Sequence, residues 1–225
     1  MPTAPILTAT RTGLVDLLNP DPKTITLEAI AHGLSQINRW AGATEFPVSV
    51  AQHSILVMEI FLRLRPNLRP YAIYPLLHDA HEAFIGDWTE PAFKALATRV
   101  IIEIERSRLN PFDAVELHSA FLHARAKLQV NLDDRIAAAL GITSRMMLGF
   151  SEEVRMAIDK ADLFARAIEW TTFMPAANGP CPWPAPPFAM PRLKPLAPAI
   201  AAEKFTAAVE RELALLRTRG TGEAA

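Results

Sequence analysis

Cysteine is nearly missing from this sequence, because Cys181 is the one cysteine among 225 residues. A single cysteine excludes an intrachain disulfide, and with it the disulfide-stapled folds of small secreted domains. No run approaches the roughly 20 apolar residues that a transmembrane helix needs. Residues 1–18 carry no cationic stretch followed by an apolar one, so we expect no signal peptide. Together these absences predict a soluble protein of a reducing compartment, the cytoplasm.

An excess of charge of either sign is also missing. The chain has 23 Lys and Arg against 24 Asp and Glu, a formal net charge of −1. This balance does not indicate a nucleic-acid or membrane surface, so we expect neither as a partner. Half of the residues are hydrophobic, which at this length is enough for one substantial core. We expect a single domain over residues 1–174, with residues 175–225 packed on it.

Alternating strand patterns are absent too, whereas apolar residues recur at helical spacing along most of the chain. Thr26 can cap the first helix, the segment before it is expected to be irregular, and Met146 and Met147 are expected in the core. The predicted helices cover about 27–37, 48–65, 70–86, 92–109, 112–130, 133–140, 151–173 and 199–217. The predicted fold class is all-α, a compact helical bundle.

Prolines are concentrated near the C-terminus, in residues 175–198. Dense proline favours an extended conformation over a helix. The apolar side chains of Trp183, Phe188 and Met190 in this segment require a surface to pack on. We therefore interpret it as an extended wrap over the domain rather than as a flexible linker.

The stretch from Leu77 to Asp87 concentrates ionisable groups among apolar ones. Read as one helix ended by Gly86, it places His78 and Glu82 one turn apart on one face, with Asp79 beside them. Such groups need a partner that offsets their desolvation, and a divalent cation is a common partner of a His-Asp pair. The alternative, on spacing alone, is a surface helix with scattered charges.

Two more candidate ligands lie on other predicted helices. His53 lies one residue from the apolar stripe of its helix, where a hydrogen-bonded core histidine is the alternative. Asp162 lies in the middle of a later helix beside Ala161 and Ala165, where a buried carboxylate without a cation is costly. If these helices meet, two imidazoles and two carboxylates form a site suited to a hard or borderline divalent metal.

Five stretches, in this order and at this spacing, resemble the HD-domain metal-dependent phosphohydrolases and, within them, the bacterial 5′-deoxynucleotidases. The resemblance spans about residues 29–175, and it implies an all-helical fold, a homodimer and hydrolysis of deoxynucleoside 5′-monophosphates. The matching stretches are Ile37-Asn38-Arg39-Trp40, Val50-Ala51-Gln52-His53-Ser54, His78-Asp79-Ala80-His81-Glu82-Ala83, Gly86-Asp87 with Pro91, and Asp159-Lys160-Ala161-Asp162.

The resemblance also implies roles for individual residues. It implies that one divalent ion, Mn²⁺, Co²⁺ or Mg²⁺, is held by His53, His78, Asp79 and Asp162. It implies that Glu82 is the acidic catalytic residue and that Arg39 orients the phosphate. The nucleotide-contacting positions that it implies are Arg39, Trp40, Asp87, Trp88, Thr89 and Glu90, with Asp87 accepting from the sugar hydroxyl.

These residue types suit phosphomonoester hydrolysis, which is very slow without a catalyst. A cation lowers the pKa of a bound water and screens the phosphate charge. Glu82 could take a proton from the attacking water or donate one to the leaving 5′-oxygen. Arg39 offers a planar fork to phosphate oxygens, which lysine would not reproduce; its alternative is a surface salt bridge.

The chain departs from the family pattern in three places. Trp88-Thr89-Glu90 stands where the family commonly has a Pro-Thr or Pro-Ser pair, and it adds bulk and negative charge to the expected sugar and base pocket. The lysine that usually follows is displaced to Lys94. The proline-rich segment is additional, and it could cap the site or a subunit contact.

Two other functions remain compatible with the sequence. A deoxynucleoside triphosphate triphosphohydrolase would use the same metal site, but Arg39 and Lys94 are the only obvious cations for its longer polyphosphate. A non-catalytic nucleotide-binding protein, its site blocked by the proline-rich segment, belongs to a different class. Two-metal enzymes fit less well, because their additional histidines would have to be His118 and His123, which point in different directions.

Overall fold

The computed structural model describes residues 4–107, 111–142 and 151–222; the expected core positions Met146 and Met147 lie outside these ranges. Eight α-helices account for most of the described chain, which confirms the all-α class. Within those ranges, no helix combines the length and the apolar character that crossing a lipid bilayer requires. The helices are α1 Leu27–Gln36, α2 Val50–Leu64, α3 Ile73–Leu77, α4 Glu82–Ile85, α5 Glu90–Arg106, α6 Pro111–Ala139, α7 Glu152–Phe173 and α8 Pro198–Gly222.

The segment before α1 is not irregular throughout, because it contains a β-hairpin. Strand β1 (Leu7–Thr10) pairs antiparallel with β2 (Gly13–Asp16). Each strand has only four residues, the shortest run in which alternation can be recognised, and β2 does not alternate. Thr10 stabilises the turn by accepting from the Thr12 amide at 3.2 Å, and Val15 fixes the hairpin to the core with a fully buried side chain.

Helix α6 is continuous, whereas the sequence predicted two helices separated near residue 131. The helix continues because Leu132 is fully buried and the side-chain amide of Asn131 donates to the Leu18 carbonyl at 3.0 Å, outside the helix. The end near Gly141 agrees with the prediction. There a φ of +73° is the left-handed conformation that glycine adopts without strain.

Helix α2 lies at the centre of the bundle, packed against α1, α3, α7 and α8. Such a central position explains why its residues are apolar on most sides. Two clusters of buried side chains meet at α2 and hold the bundle together by excluding apolar surface from water. One joins α2 to α7 through Val57, Phe61, Val154 and Ala161; the other joins α1, α3 and α8 through Leu34, Leu76, Phe205 and Val209.

The proline-rich segment lies against the α2–α7 pair, where Phe188 and Met190 contact the core. Gln52 holds it in place, since its side chain donates to the Lys194 carbonyl at 2.8 Å and accepts from the Leu196 amide at 3.0 Å. The segment is therefore attached to the helix that carries His53.

Candidate metal centre

His53 lies in the first turn of α2 and points into the interior. Ser49 begins this helix by accepting from the Gln52 amide at 3.2 Å. The imidazole of His53 is fully buried, and its Nδ1 lies 2.8 Å from Oε1 of Glu169. Burial raises the pKa of Glu169, but Arg39 and His53 outweigh burial and lower it to about 2. Because an ionised carboxylate only accepts, Nδ1 carries the proton and Nε2 presents its lone pair to the site.

His78 directly follows α3, and its side chain interrupts the helix. Its Nδ1 donates to the Pro75 carbonyl at 2.7 Å, an acceptor that an α-helix would use for its own ladder. Over residues 77–84 the turns are then closed by i→i+3 hydrogen bonds of 2.9–3.2 Å. The prediction of one helix from Leu77 to Gly86 is therefore wrong, because this tighter stretch separates α3 from α4.

The imidazoles of His53 and His78 lie side by side, with ring centroids 5.4 Å apart. Both Nε2 atoms are buried and have no hydrogen-bond partner among the described residues. The Pro75 carbonyl can only accept, so neutral His78 also carries its proton on Nδ1. With both Nδ1 atoms bonded to acceptors, the Nε2 atoms are the ones left to bind a metal ion, which would displace any proton from His78.

Asp162 and Asp79 bring carboxylate oxygens to the same place. Ligand atoms of His53, His78 and Asp162 all lie within 4.8 Å of one another, and Asp162 Oδ1 is 3.1 Å from His53 Nε2. Asp79 is outside that mutually close set, but its Oδ2 lies 3.1 Å from His78 Nε2 and 3.7 Å from His53 Nε2. Atoms that ligate one ion at about 2.1 Å are roughly 3–4 Å apart. His53, His78 and Asp162 could therefore hold one divalent ion, and Asp79 lies beside them.

The electrostatics of this cluster favour a cation. Burial raises the pKa of the Asp79 and Asp162 carboxyls, but the two histidines and nearby arginines outweigh it and hold both well below the usual range. Burial lowers the pKa of His78, whereas Asp79 and Asp162 outweigh it and raise it to about 9. Both carboxylates are thus ionised, and they attract positive charge, a proton or a metal ion, to the Nε2 of His78.

Arg39 is buried beside the cluster and does not form a surface salt bridge. Its Nε donates to Glu169 Oε2 at 3.0 Å, and its Nη1 lies 3.8 Å from Asp79 Oδ2. Burial lowers the pKa of Arg39, but Glu169, Asp79 and Asp162 raise it above its usual range. Because Glu169 accepts the hydrogen bond from Nε, the Nη groups of Arg39 remain for an anionic ligand next to the cluster.

Trp40 follows Arg39 with a φ of +60°, and its indole is held on several sides. Its Nε1 donates to Glu169 Oε2 at 3.2 Å. Its ring contacts those of Trp170 and Trp183, each with centroids 5.6 Å away. Trp183 belongs to the proline-rich segment, so that segment reaches the edge of the candidate site.

Glu82 and Asp87 lie within electrostatic range of the charged cluster. Oε2 of Glu82 is buried and lacks a hydrogen-bond partner in the part of the chain that the structure describes. Burial raises the pKa of Glu82 to about 9, with Asp79 and Asp87 acting in the same direction and Arg39 opposing. Burial also raises the pKa of Asp87, while Arg39 lowers it. Both carboxyls are therefore in the electrostatic range of Arg39 and Asp79.

Trp88 and Glu90, which follow Asp87, contact groups outside the cluster. Trp88 is about half exposed and donates to the Ile85 carbonyl at 3.1 Å. Glu90 forms an exposed ion pair with Lys94 at 2.6 Å, so Lys94 is not a free cation at the site. No hydrogen bond of the described residues links Trp88, Thr89 or Glu90 to the cluster. Their contact with a nucleotide stays a prediction.

The remaining histidines of this region do not add ligands. His81 is buried, and its Nδ1 lies 3.0 Å from Asp133 Oδ1, which ties the turn after α3 to α6. His123 contacts Ser119 at 3.3 Å. Over residues 4–107, 111–142 and 151–222, the one close group of His, Cys, Asp and Glu ligands contains neither His118 nor His123.

Glu169 is a site residue that the sequence reasoning missed. It is fully buried on α7 and accepts from His53, Arg39 and Trp40. A signal was available, because Glu169 follows Asp162 by seven residues and therefore lies on the same face of the helix.

The fold and this site define an all-α protein with a candidate centre for a divalent metal ion. No family model matches the sequence. An uncharacterized protein of Rhodobacter capsulatus is 38% identical over 144 residues, which cover 61% of this chain and 70% of that protein. The chain belongs to the same family as that protein.

Proposed function

We propose that this protein is a metal-dependent phosphohydrolase of the HD-domain type, and that it hydrolyses deoxynucleoside 5′-monophosphates to deoxynucleoside and phosphate. The observation that carries the proposal is the pair of unpartnered Nε2 atoms of His53 and His78 next to the Asp79 and Asp162 carboxylates. Mn²⁺, Co²⁺ and Mg²⁺ are the candidate ions. The single free cysteine supports a cytoplasmic location.

The four ligands would hold the ion, whose Lewis acidity stabilises the charge that develops on the phosphoryl oxygens. Arg39 would bind the phosphate through its Nη groups, since Glu169 fixes the Nε edge of its guanidinium. A fixed, fully charged guanidinium stabilises that charge without reorganising during the reaction. The positions of these residues support binding of a phosphate group directly beside the ligands.

Glu82 would act as the general acid or base of the hydrolysis. Its buried carboxyl lies near the cluster, with one oxygen unsatisfied, so it is available to a ligand rather than to the protein. In its protonated form it would donate to the leaving 5′-oxygen, and as a carboxylate it would accept the proton of the attacking water. The two roles are alternatives, because the attacking water and the leaving 5′-oxygen are different groups.

The rival triphosphohydrolase needs more positive charge than the site shows. Lys94 is neutralised by Glu90 in an exposed pair, and Arg166 is bound to Asp162 with its Nε 3.2 Å from Oδ1. Arg39 is thus the cation that stays available for phosphate near the ligands within the described residues. One arginine and one metal ion match a monophosphate better than a triphosphate.

A non-catalytic binding protein is favoured by one observation, the contact of Trp183 with Trp40 at the edge of the site. Against it stands the set of unsatisfied groups behind that edge: the two Nε2 atoms and Oε2 of Glu82. A protein that only bound a nucleotide would have no need of a buried, unpaired carboxyl.

The test is a screen of purified protein against all nucleoside mono- and triphosphates with each of the three ions. Phosphate and tripolyphosphate are measured separately. We expect phosphate release from deoxynucleoside monophosphates, and no release after treatment with a chelator. Faster release of tripolyphosphate from any triphosphate would overturn the substrate in favour of the rival.

We also propose that two copies associate through α6. Val115, Leu122 and Val130 are exposed on this helix at spacings of seven and eight residues, which places them along one face. Glu116 and Lys127 lie on the same side of that stripe, so two antiparallel copies would pair them. Light scattering should show a dimer for the native chain and a monomer for Leu122→Glu; a monomeric native chain would refute the interface.

A further inference from the structure

Glu169 is the most completely enclosed ionised group of the site. Its side chain is about 1% exposed, and it lies on α7 two turns after Asp162. Burying an isolated carboxylate is strongly unfavourable, so its charge has to be compensated by the groups around it. The hydrogen-bond donors around the Glu169 carboxylate therefore indicate its role.

Three donors from two separate segments of the chain converge on the Glu169 carboxylate. Oε1 accepts from His53 Nδ1 at 2.8 Å. Oε2 accepts from Arg39 Nε at 3.0 Å and from Trp40 Nε1 at 3.2 Å. The two oxygens therefore serve different partners, since one faces the candidate metal ligand and the other faces the residues expected to contact the substrate.

We propose that Glu169 is a positioning residue that holds the metal ligand His53 and the phosphate-binding Arg39 in a single, fixed arrangement. The role of Glu169 at Arg39 rests on the proposed function. Its role at His53 concerns only the binding of a metal ion. Glu169 does not touch the reacting atoms, because it acts through the far sides of both side chains.

The consequence for His53 is a defined tautomer. With Nδ1–H bonded to Glu169, the lone pair of His53 lies on Nε2, 3.1 Å from Asp162 Oδ1 and 3.7 Å from Asp79 Oδ2. Without Glu169 the proton could move to Nε2, which would then repel an ion.

The consequence for Arg39 is a fixed orientation. Arg39 begins the short 3₁₀ helix Arg39–Gly42, and Trp40 and Ala41 within it have φ values of +60° and +51°. Non-glycine residues adopt this conformation only when the surroundings hold them there. The hydrogen bond from Trp40 to the same oxygen that binds Arg39 is such a restraint. Glu169 thus links the backbone at Arg39 to the position of its guanidinium.

Glu169→Gln is the discriminating substitution, because it preserves size but removes the charge and turns one acceptor into a donor. The amide cannot accept from His53 on one side and from Arg39 and Trp40 on the other. Glu212→Gln is the matched control. Glu212 is also a buried glutamate, 3% exposed, and its Oε1 accepts from Arg69 Nη2 at 3.0 Å, but on α8 away from the site.

The experiment measures Mn²⁺ and Co²⁺ affinity of the full-length native chain and both variants by calorimetric titration, with thermal melting of the metal-free proteins alongside. We expect the affinity of Glu169→Gln to fall by about 10- to 100-fold and that of Glu212→Gln to stay within about twofold. We expect similar losses of melting temperature for both variants. Hydrolysis assays should then show a raised KM for Glu169→Gln, since Arg39 is released.

Native-like affinity in folded Glu169→Gln would overturn the proposal, and so would equal losses of affinity in both variants. A native chain that binds no divalent ion would overturn it together with the proposed function. A native chain that binds the ion but hydrolyses no nucleotide would overturn the proposed function alone, and the difference between the two variants would still decide the role of Glu169 at the metal.

Discussion

Gly33 on α1 lies so close to Ala83 on α4 that it leaves no room for a side chain. A Cβ at Gly33 would lie 2.9 Å from the Ala83 carbonyl oxygen and 3.1 Å from its Cα. These are backbone atoms, which cannot rotate away, so a larger residue would have to displace α4 as a whole. Because α4 carries Glu82, the packing of α1 determines where the proposed acid lies.

Gly33→Ala should therefore reduce both stability and turnover. Overpacking typically costs about 1–3 kcal/mol, which equals or exceeds the gain in helix propensity of about 1 kcal/mol. Denaturant unfolding measures the first effect and phosphate release the second. Gln36→Ala, an exposed position on the same helix, should change stability by no more than about 0.5 kcal/mol. Unchanged turnover in Gly33→Ala would contradict the link between α1 and Glu82.

Asp162→Ala and Asp79→Ala should each abolish metal retention and turnover together. Each removes a negative ligand from a buried site, and the remaining ligands cannot compensate for the lost charge. Metal content after gel filtration is the measurement. The control is Asp159→Ala, one turn earlier on α7, where the carboxylate is exposed and bonded to Arg155 at 3.2 Å. If Asp162→Ala kept its metal, the ligand set would be wrong.

Glu82→Ala should bind metal and substrate normally but turn over more slowly. The expected loss in kcat is about 10²–10⁴-fold, the usual contribution of a general acid or base. Calorimetry with a nucleoside monophosphate checks binding, and single-turnover phosphate release checks the chemical step. Glu103→Gln, on the exposed face of α5, is the matched control. Full activity in Glu82→Ala would remove this residue from the mechanism.

Trp183→Ala separates an enzyme from a blocked binding protein. The contact between Trp183 and Trp40 contributes the roughly 0.5–1.5 kcal/mol of an aromatic pair, so its loss should loosen Trp40 and raise KM by up to about tenfold. A blocked site would instead gain activity when Trp183 is removed. Deleting the whole segment from residue 175 is a poorer test, because α8 follows it and buries Phe205 and Val209 in the core.

Two of the candidate ligands could be singled out in the sequence for a definite physical reason. Asp162 is a charged residue on the buried side of an apolar helix, and His53 lies next to such a stripe. Burial without a partner is unfavourable for both, so each position indicates a ligand or a hydrogen-bonded network. The structure places these two residues together with His78, from three different helical segments.

The interruption after α3 and the position of Glu169 depend on contacts that a sequence pattern does not show. The interruption after α3 arises from one side-chain hydrogen bond, from His78 to the Pro75 carbonyl, which no periodicity reveals. Glu169 looked like an ordinary glutamate because its partners Arg39 and Trp40 are about 130 positions away in the chain. Contacts between residues so far apart in the chain depend on how the helices pack, above all α2 against α7. The sequence pattern alone did not predict that packing.

We propose that one divalent ion binds between His53, His78, Asp79 and Asp162. Anomalous diffraction from crystals soaked in Mn²⁺ tests it most directly. We expect a single peak about 2.0–2.3 Å from Nε2 of both histidines, with Asp162 and Asp79 oxygens completing the shell. Density at another place, or an Nε2 of His53 or His78 beyond coordination distance, would show that these residues do not share one ion.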